Sequence, residues 1–173
     1  MNGLDKAVAL LATAVLAACG AAPVLPPAVP PILRHANPQP DSPTSAAVEV
    51  APGSTLVFVS GQTPLPQRPD AAEFSAEYWG DTYAQTKSVL QKIDAVLRRA
   101  GLGPGDVVKM QVYLVGDPAL QGRMDSAGFA RAYAEFYGNP AQPLRPSRTT
   151  VQIAGLGRPG MLVEIDVIAT ARR

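Results

Sequence analysis

"DTYAQTKSVLQKIDAVLRRAGLGPGDVVKMQVYLVGD", residues 81–117, holds a helix, a stop and a strand in one run. Leu90, Ile93, Val96, Leu97 and Ala100 recur at spacings of three and four, the period of one helix face. Asp81 can cap the helix start. Arg98 and Arg99 stand in the last turn, where cations suit the helix dipole, and Gly101 ends it. Past Asp106 the period becomes two. Val108, Met110, Val112 and Leu114 then share one face of a strand.

Working outward, "TLVFVSGQ" (55–62) is a buried strand running into a glycine. With the helix and the strand after it, it makes a βαβ crossover. "AAVEVA" (46–51) is a shorter strand, and "PGS" (52–54) a turn, so the two strands are predicted to form a hairpin. Residues 63–80 form an insertion-like loop with three prolines, of a length that is usually functional or mobile. Its Tyr78 and Trp79 read either as a lid or as a hydrophobic plug. On the C-terminal side a second helix is predicted over 124–137, packing Phe129, Tyr133 and Phe136. Strands over 148–153 and from Met161 onward flank the turn "GLGRPG". The order β-β-α-β-α-β-β predicts an α+β domain over 45–173, one mixed sheet with two helices on one face. Val107, Tyr113, Val115, Leu162 and Ile168 would line the other face. Self-association is the simplest cover for it, and an open polar face is the alternative.

Composition narrows the chemistry. The 173 residues carry a net charge of +1, with 47% hydrophobic and 17% charged residues, which suits one globular domain. Neither the charge nor the scattered basic residues favour nucleic acid as a partner. The single cysteine, Cys19, and the single histidine, His35, both precede the predicted domain. That domain therefore has no thiol nucleophile, imidazole base or Cys/His metal cluster. Carboxylates, hydroxyls, arginine, lysine, backbone amides and water remain.

The N-terminus reads as an address. Lys6 precedes an apolar run over 7–18, shorter than the roughly 20 residues that cross a bilayer. "LAAC" (16–19) resembles a bacterial lipobox, in which the cysteine is lipidated and becomes the mature N-terminus. A signal that is simply cleaved, with Cys19 there by chance, is the other reading. Gly20 rather than Asp favours the outer membrane by the same resemblance. The expectation is an exported protein on the periplasmic side of the envelope, anchored to the membrane only by lipid. Residues 20–44 are dense in proline and predict a semi-extended tether, with no helix or central strand. His35 lies in it as a solvated residue.

Several blocks share one likeness. They are Val59-Ser60-Gly61-Gln62, Ala84-Gln85-Thr86 with the apolar face that follows, Asp106-Val107-Val108-Lys109, Pro146-Ser147-Arg148, and Val163 to Ala169. In order and spacing they resemble the Rid (YjgF) family of imine/enamine deaminases, once labelled endoribonuclease L-PSP. The resemblance covers nearly all of 45–173. It implies a chorismate-mutase-like fold and a homotrimer with clefts between subunits.

It also implies roles. Arg148 becomes the binder of a substrate carboxylate, which a guanidinium fork matches bidentately. Glu164 becomes the group that orients water against a C=N carbon or takes its proton. Ser60 and Gly61 line the ligand, and Thr150 stands where the family often has cysteine. Each also has a plain reading: rim ion pairs for Arg148 and Glu164, and strand termination for Ser60 and Gly61. Thr44 and Ala130 depart from a common tyrosine and a common asparagine. The implied reaction converts 2-imino or enamine acids to 2-keto acids and ammonia, with no metal or organic cofactor. A non-catalytic envelope trimer that binds a carboxylated metabolite is the alternative. Neutral charge and missing histidines disfavour the ribonuclease label.

Overall fold

A computed structural model describes residues 32–171. The signal segment, Cys19 and residues 20–31 of the expected tether lie outside the described residues. The elements are β1 (Ile32–His35), β2 (Ala47–Val50), β3 (Thr55–Gln62), α1 (Ala76–Trp79), α2 (Thr82–Arg99), β4 (Val107–Val115), α3 (Ser126–Ala134), β5 (Ser147–Ile153) and β6 (Val163–Ala171). A four-stranded mixed sheet runs β3-β6-β4-β5, with β4 and β5 parallel and the other neighbours antiparallel. The fold is α+β, as expected. The crossover through α2 joins parallel β3 and β4, and β6 enters between them.

The period-3.6 face of α2 explains its place. Val89, Leu90, Ile93 and Leu97 are buried, each contributing about 1.5–3 kcal/mol. Asp81 accepts from the Ala84 amide at 2.8 Å, and Gly101 leaves the helix at φ +73°. Phe129 and Tyr133 of α3 join the same core, as do Met110, Val112, Leu114, Ile165 and Val167 from the sheet. Both helices therefore cover one sheet face. The other face carries Leu56, Phe58 and Val151, all exposed, and Phe58 is 71% exposed.

Four expectations change. Ala47–Val50 does not ladder with β3; it pairs with Ile32–His35, a proline-free stretch within the expected tether. The folded part thus begins before residue 45, and His35 sits in a strand with its Nε2 3.4 Å from Glu49 Oε2. Val107 and Leu162 belong to the core rather than the open face, because a register shift between Val107 and Lys109 turns Val107 inward. The second helix is shorter than 124–137, and Tyr137, not Phe136, is fully packed behind Tyr133.

The 63–80 loop is tied down. Trp79 is 1% exposed and donates its indole N–H to the Pro159 carbonyl at 2.8 Å. Gln85 is buried in α2 and donates to the Gly80 and Gly160 carbonyls, while its side-chain oxygen accepts from the Leu162 amide. One amide thereby joins the loop's end to the turn before β6. Trp79 is a plug.

Candidate functional site

Strand β5 lies at one edge of the sheet, so its side chains meet a neighbouring strand on one side only. Its alternation is fixed by partners on both faces. Gln152 donates to the Gly122 carbonyl and accepts from the Met124 amide, on the helix side. Thr149 accepts from Lys109 on the open side. Arg148 and Thr150, in phase with Gln152, therefore face the helices.

There Arg148 meets rings instead of acids. Its guanidinium carbon lies 4.3 Å from the Tyr133 ring centroid and 4.9 Å from that of Phe129. Nη1 of Arg148 and Oγ1 of Thr150 are buried without a hydrogen-bond partner, two of four such side-chain atoms among the described residues. Burial holds the guanidinium below its ordinary value, and the Tyr133 phenol offsets part of that. Tyr133 itself is pushed up to about 12 by burial, against the pull of Arg148, Arg145 and Arg34. A buried donor with no partner costs about 1–3 kcal/mol, so an atom left this way calls for an explanation. An anion on Arg148 and Thr150 would supply one.

Glu164 lies elsewhere. Val163, Ile165 and Val167 of β6 point into the core, so Glu164 and Asp166 face the open side. A Cβ added to Gly61 would fall on the Glu164 carboxylate, so a larger residue there would require that side chain to move. The bulge between Val59 and Gln62 brings Gly61 there, with Ser60 exposed beside it. Gly61, Tyr113, Ile153, Leu156, Glu164 and Asp166 line an open groove of about 430 Å³. Asp166 accepts from Gln111 at 3.3 Å. Burial, then the Asp166 and Glu164 carboxylates, hold the Tyr113 phenol above its ordinary value.

The structure thus gathers Gly61 and Glu164 in one place and Arg148 and Thr150 in another. Arg148 pairs with Met110, whereas Glu164 pairs with Tyr113, which is three positions along β4. Glu164 is also two strands away and on the opposite face. One chain does not bring the two candidate residues to one substrate. Thr44 bonds with Ser42 and lines a separate cavity of about 230 Å³, and Ala130 is exposed. The ring partners Phe129 and Tyr133 were legible only as core residues, since a helical aromatic spacing reads as packing.

The family model of endoribonuclease L-PSP matches residues 34–171. A RutC family protein of Pyrococcus abyssi is 33% identical over 138 residues, 80% of this chain and 94% of its own. The 3-aminoacrylate deaminase RutC of Acinetobacter baylyi is 32% identical over the same shares of each chain. Among solved structures, Escherichia coli TdcF with bound serine superposes at a TM-score of 0.53 and 30% identity, covering 71% of this chain and 85% of TdcF. The match from Arg34 onward agrees with a folded part that includes β1. The chain belongs to the endoribonuclease L-PSP, or Rid/YjgF, family, in which the RutC relative is a 3-aminoacrylate deaminase.

Proposed function

We propose that the protein hydrolyses 2-imino acids and their enamine tautomers to 2-keto acids and ammonia. The observation that carries this is the Arg148 guanidinium, buried against two rings with Nη1 unused and the unpartnered Thr150 hydroxyl two residues on. The substrate carboxylate accepts from Arg148 and Thr150. An enamine first takes a proton on carbon and gives one up from nitrogen to become the imine. Water then adds to the C=N carbon as its proton passes to the Glu164 carboxylate. That proton goes to nitrogen, giving the carbinolamine; its hydroxyl proton then passes to the nitrogen through the same carboxylate, the C–N bond breaks, and ammonia leaves as the carbonyl forms. RutC, named for 3-aminoacrylate, and TdcF, which holds serine, support a small substrate with an acid group.

Since Arg148 and Glu164 face opposite ways in one chain, we place the reaction between copies. Two different surfaces that meet head-to-tail close into a ring. The exposed Leu56, Phe58 and Val151 give the open face an apolar surface to cover, which supports the homotrimer. The lipobox supports export and a lipid anchor on the periplasmic side of the envelope.

The test supplies imines from amino acids with an oxidase and follows keto-acid release by the full chain. Acceleration that Arg148→Ala abolishes is the expected result. No acceleration by either protein rejects the enzyme. The separation of Glu164 from Arg148 within a chain favours a second reading, a carboxylate-binding envelope protein, and keto-acid binding without turnover would establish it. Cys19→Ser should release the protein from membranes; unchanged fractionation rejects the anchor.

A further inference from the structure

Arg148 raises a physical question that carboxylate binding alone does not answer. A flexible guanidinium in a buried setting normally gains its geometry from an acid that holds it. Among the described residues, no carboxylate forms an ion pair with Arg148. The Tyr133 ring lies at 4.3 Å and the Phe129 ring at 4.9 Å, both within cation–π range. Tyr133 is in turn stacked on Tyr137, with centroids 5.0 Å apart and planes 18° apart. Its hydroxyl donates to the Pro43 carbonyl at 3.1 Å. Tyr133 and Tyr137 are 2% and 3% exposed, so the stack cannot swing aside without opening the core.

We propose that Tyr133 is the positioning residue of the site, an aromatic seat that fixes the plane of Arg148 while leaving Nη1 unused. This deepens the deaminase reading and rests on it for the identity of the ligand. An acidic partner would orient the arginine equally well, but it would occupy the donors that the substrate carboxylate needs. Ring faces attract the cation and accept no in-plane N–H. The seat is rigid because Tyr137 backs the ring and Pro43 holds its hydroxyl. Phe129 closes a second side and limits rotation of the fork.

The experiment uses the full chain and pyruvate as the probe carboxylate. Tyr133→Phe keeps the ring, and Tyr133→Leu removes it. Pyruvate binding and KM for oxidase-generated imines should weaken about three- to thirtyfold in Tyr133→Leu, with kcat within about twofold of the parent. Tyr133→Phe should stay within about twofold in both. The NMR signal of the Arg148 Nε–Hε pair should show the ring-current shift of a group held over an aromatic face. Tyr133→Phe should keep that shift, and Tyr133→Leu should lose it.

A lower kcat at unchanged KM in a folded Tyr133→Leu protein overturns the proposal, as does unchanged pyruvate affinity. If Tyr133→Leu does not fold, Phe129→Leu takes its place, with part of the shift and about two- to fivefold of affinity lost; no change there overturns it equally. An unshifted Arg148 signal in an active parent sinks the seat and spares the deaminase. A shifted signal in a parent that neither binds pyruvate nor hydrolyses imines does the reverse.

Discussion

Arg34 and Arg148 carry the same fork, and the fold employs them in opposite ways. Arg34, in β1, donates from Nη1 to the Arg145 carbonyl at 2.7 Å and from Nη2 to the Gly105 and Val107 carbonyls at 2.9 Å. It joins the N-terminal hairpin to two turns distant in sequence. Arg148, at the sheet edge, sits against rings and leaves Nη1 without a partner. The contrast separates a guanidinium that holds a fold from one kept available. Burial alone does not distinguish them; the atoms at the ends of their donors do.

Replacing each arginine by methionine, which keeps an apolar stem, should drive the two apart. Arg148→Met should lower kcat/KM for imine hydrolysis about a thousandfold, the loss of two charge-assisted hydrogen bonds at about 2 kcal/mol each. Its melting temperature should hold or rise, because the substitution removes a buried cation with an unused donor. Arg34→Met should instead cost about 2–4 kcal/mol of stability by removing the donor to the Gly105, Val107 and Arg145 carbonyls, of which Arg145 keeps the Ser45 hydroxyl, with kcat/KM of the folded protein within about twofold. Thermal melts beside initial rates decide it. An unstable Arg148→Met with normal turnover would invert the assignment.

Glu164→Gln sharpens the difference, since it lies across the sheet from Arg148. It should lower kcat about a hundred- to ten-thousandfold, the usual contribution of a positioned base, with little effect on KM. Mixing it with Arg148→Met tests whether two copies share a site. In a ring of randomly exchanged subunits about a quarter of the sites would pair an intact Arg148 with an intact Glu164, and activity should return to that extent. Absence of recovery after verified subunit exchange would place both residues in one subunit's own site and contradict the geometry.

The parts of this arrangement that were legible in the sequence are those governed by local periodicity. The spacing of Leu90, Ile93 and Leu97 placed α2 against the core, and the alternation in β5 put Arg148 in phase with Thr150 and Gln152. Pairing was less legible. Ala47–Val50 has a turn and a strand immediately after it, yet its partner is Ile32–His35, hidden among prolines on either side. Val107 was misassigned because a register shift changes which face a residue occupies without marking the sequence. The separation of Arg148 from Glu164 was invisible for a related reason. Which face each occupies follows from its own strand, but the relation between them follows from β6 entering between β3 and β4. Tyr133 was assigned to the core correctly, and nothing in a helical spacing says that a packed ring also seats a cation.

That ring offers the finest comparison of the two arginines. Burial raises the Tyr133 phenol to about 12, and the nearby cations pull it back, Arg148 most strongly and Arg34 least. The protonated form is thus favoured in the fold. Its contribution to stability is complete below about pH 10, the unfolded value, and is lost as pH rises from 10 through 12. The loss is at most about 2–3 kcal/mol, and Tyr133→Phe should be free of it. Removing Arg148 should push the phenol higher still, and by more than removing Arg34 does. Ring-labelled tyrosine followed by NMR through the alkaline range reads both variants. An equal shift in the two, or a larger one in Arg34→Met, would mean that the cation over the ring is not the one that dominates its field, and the seat would lose its electrostatic basis.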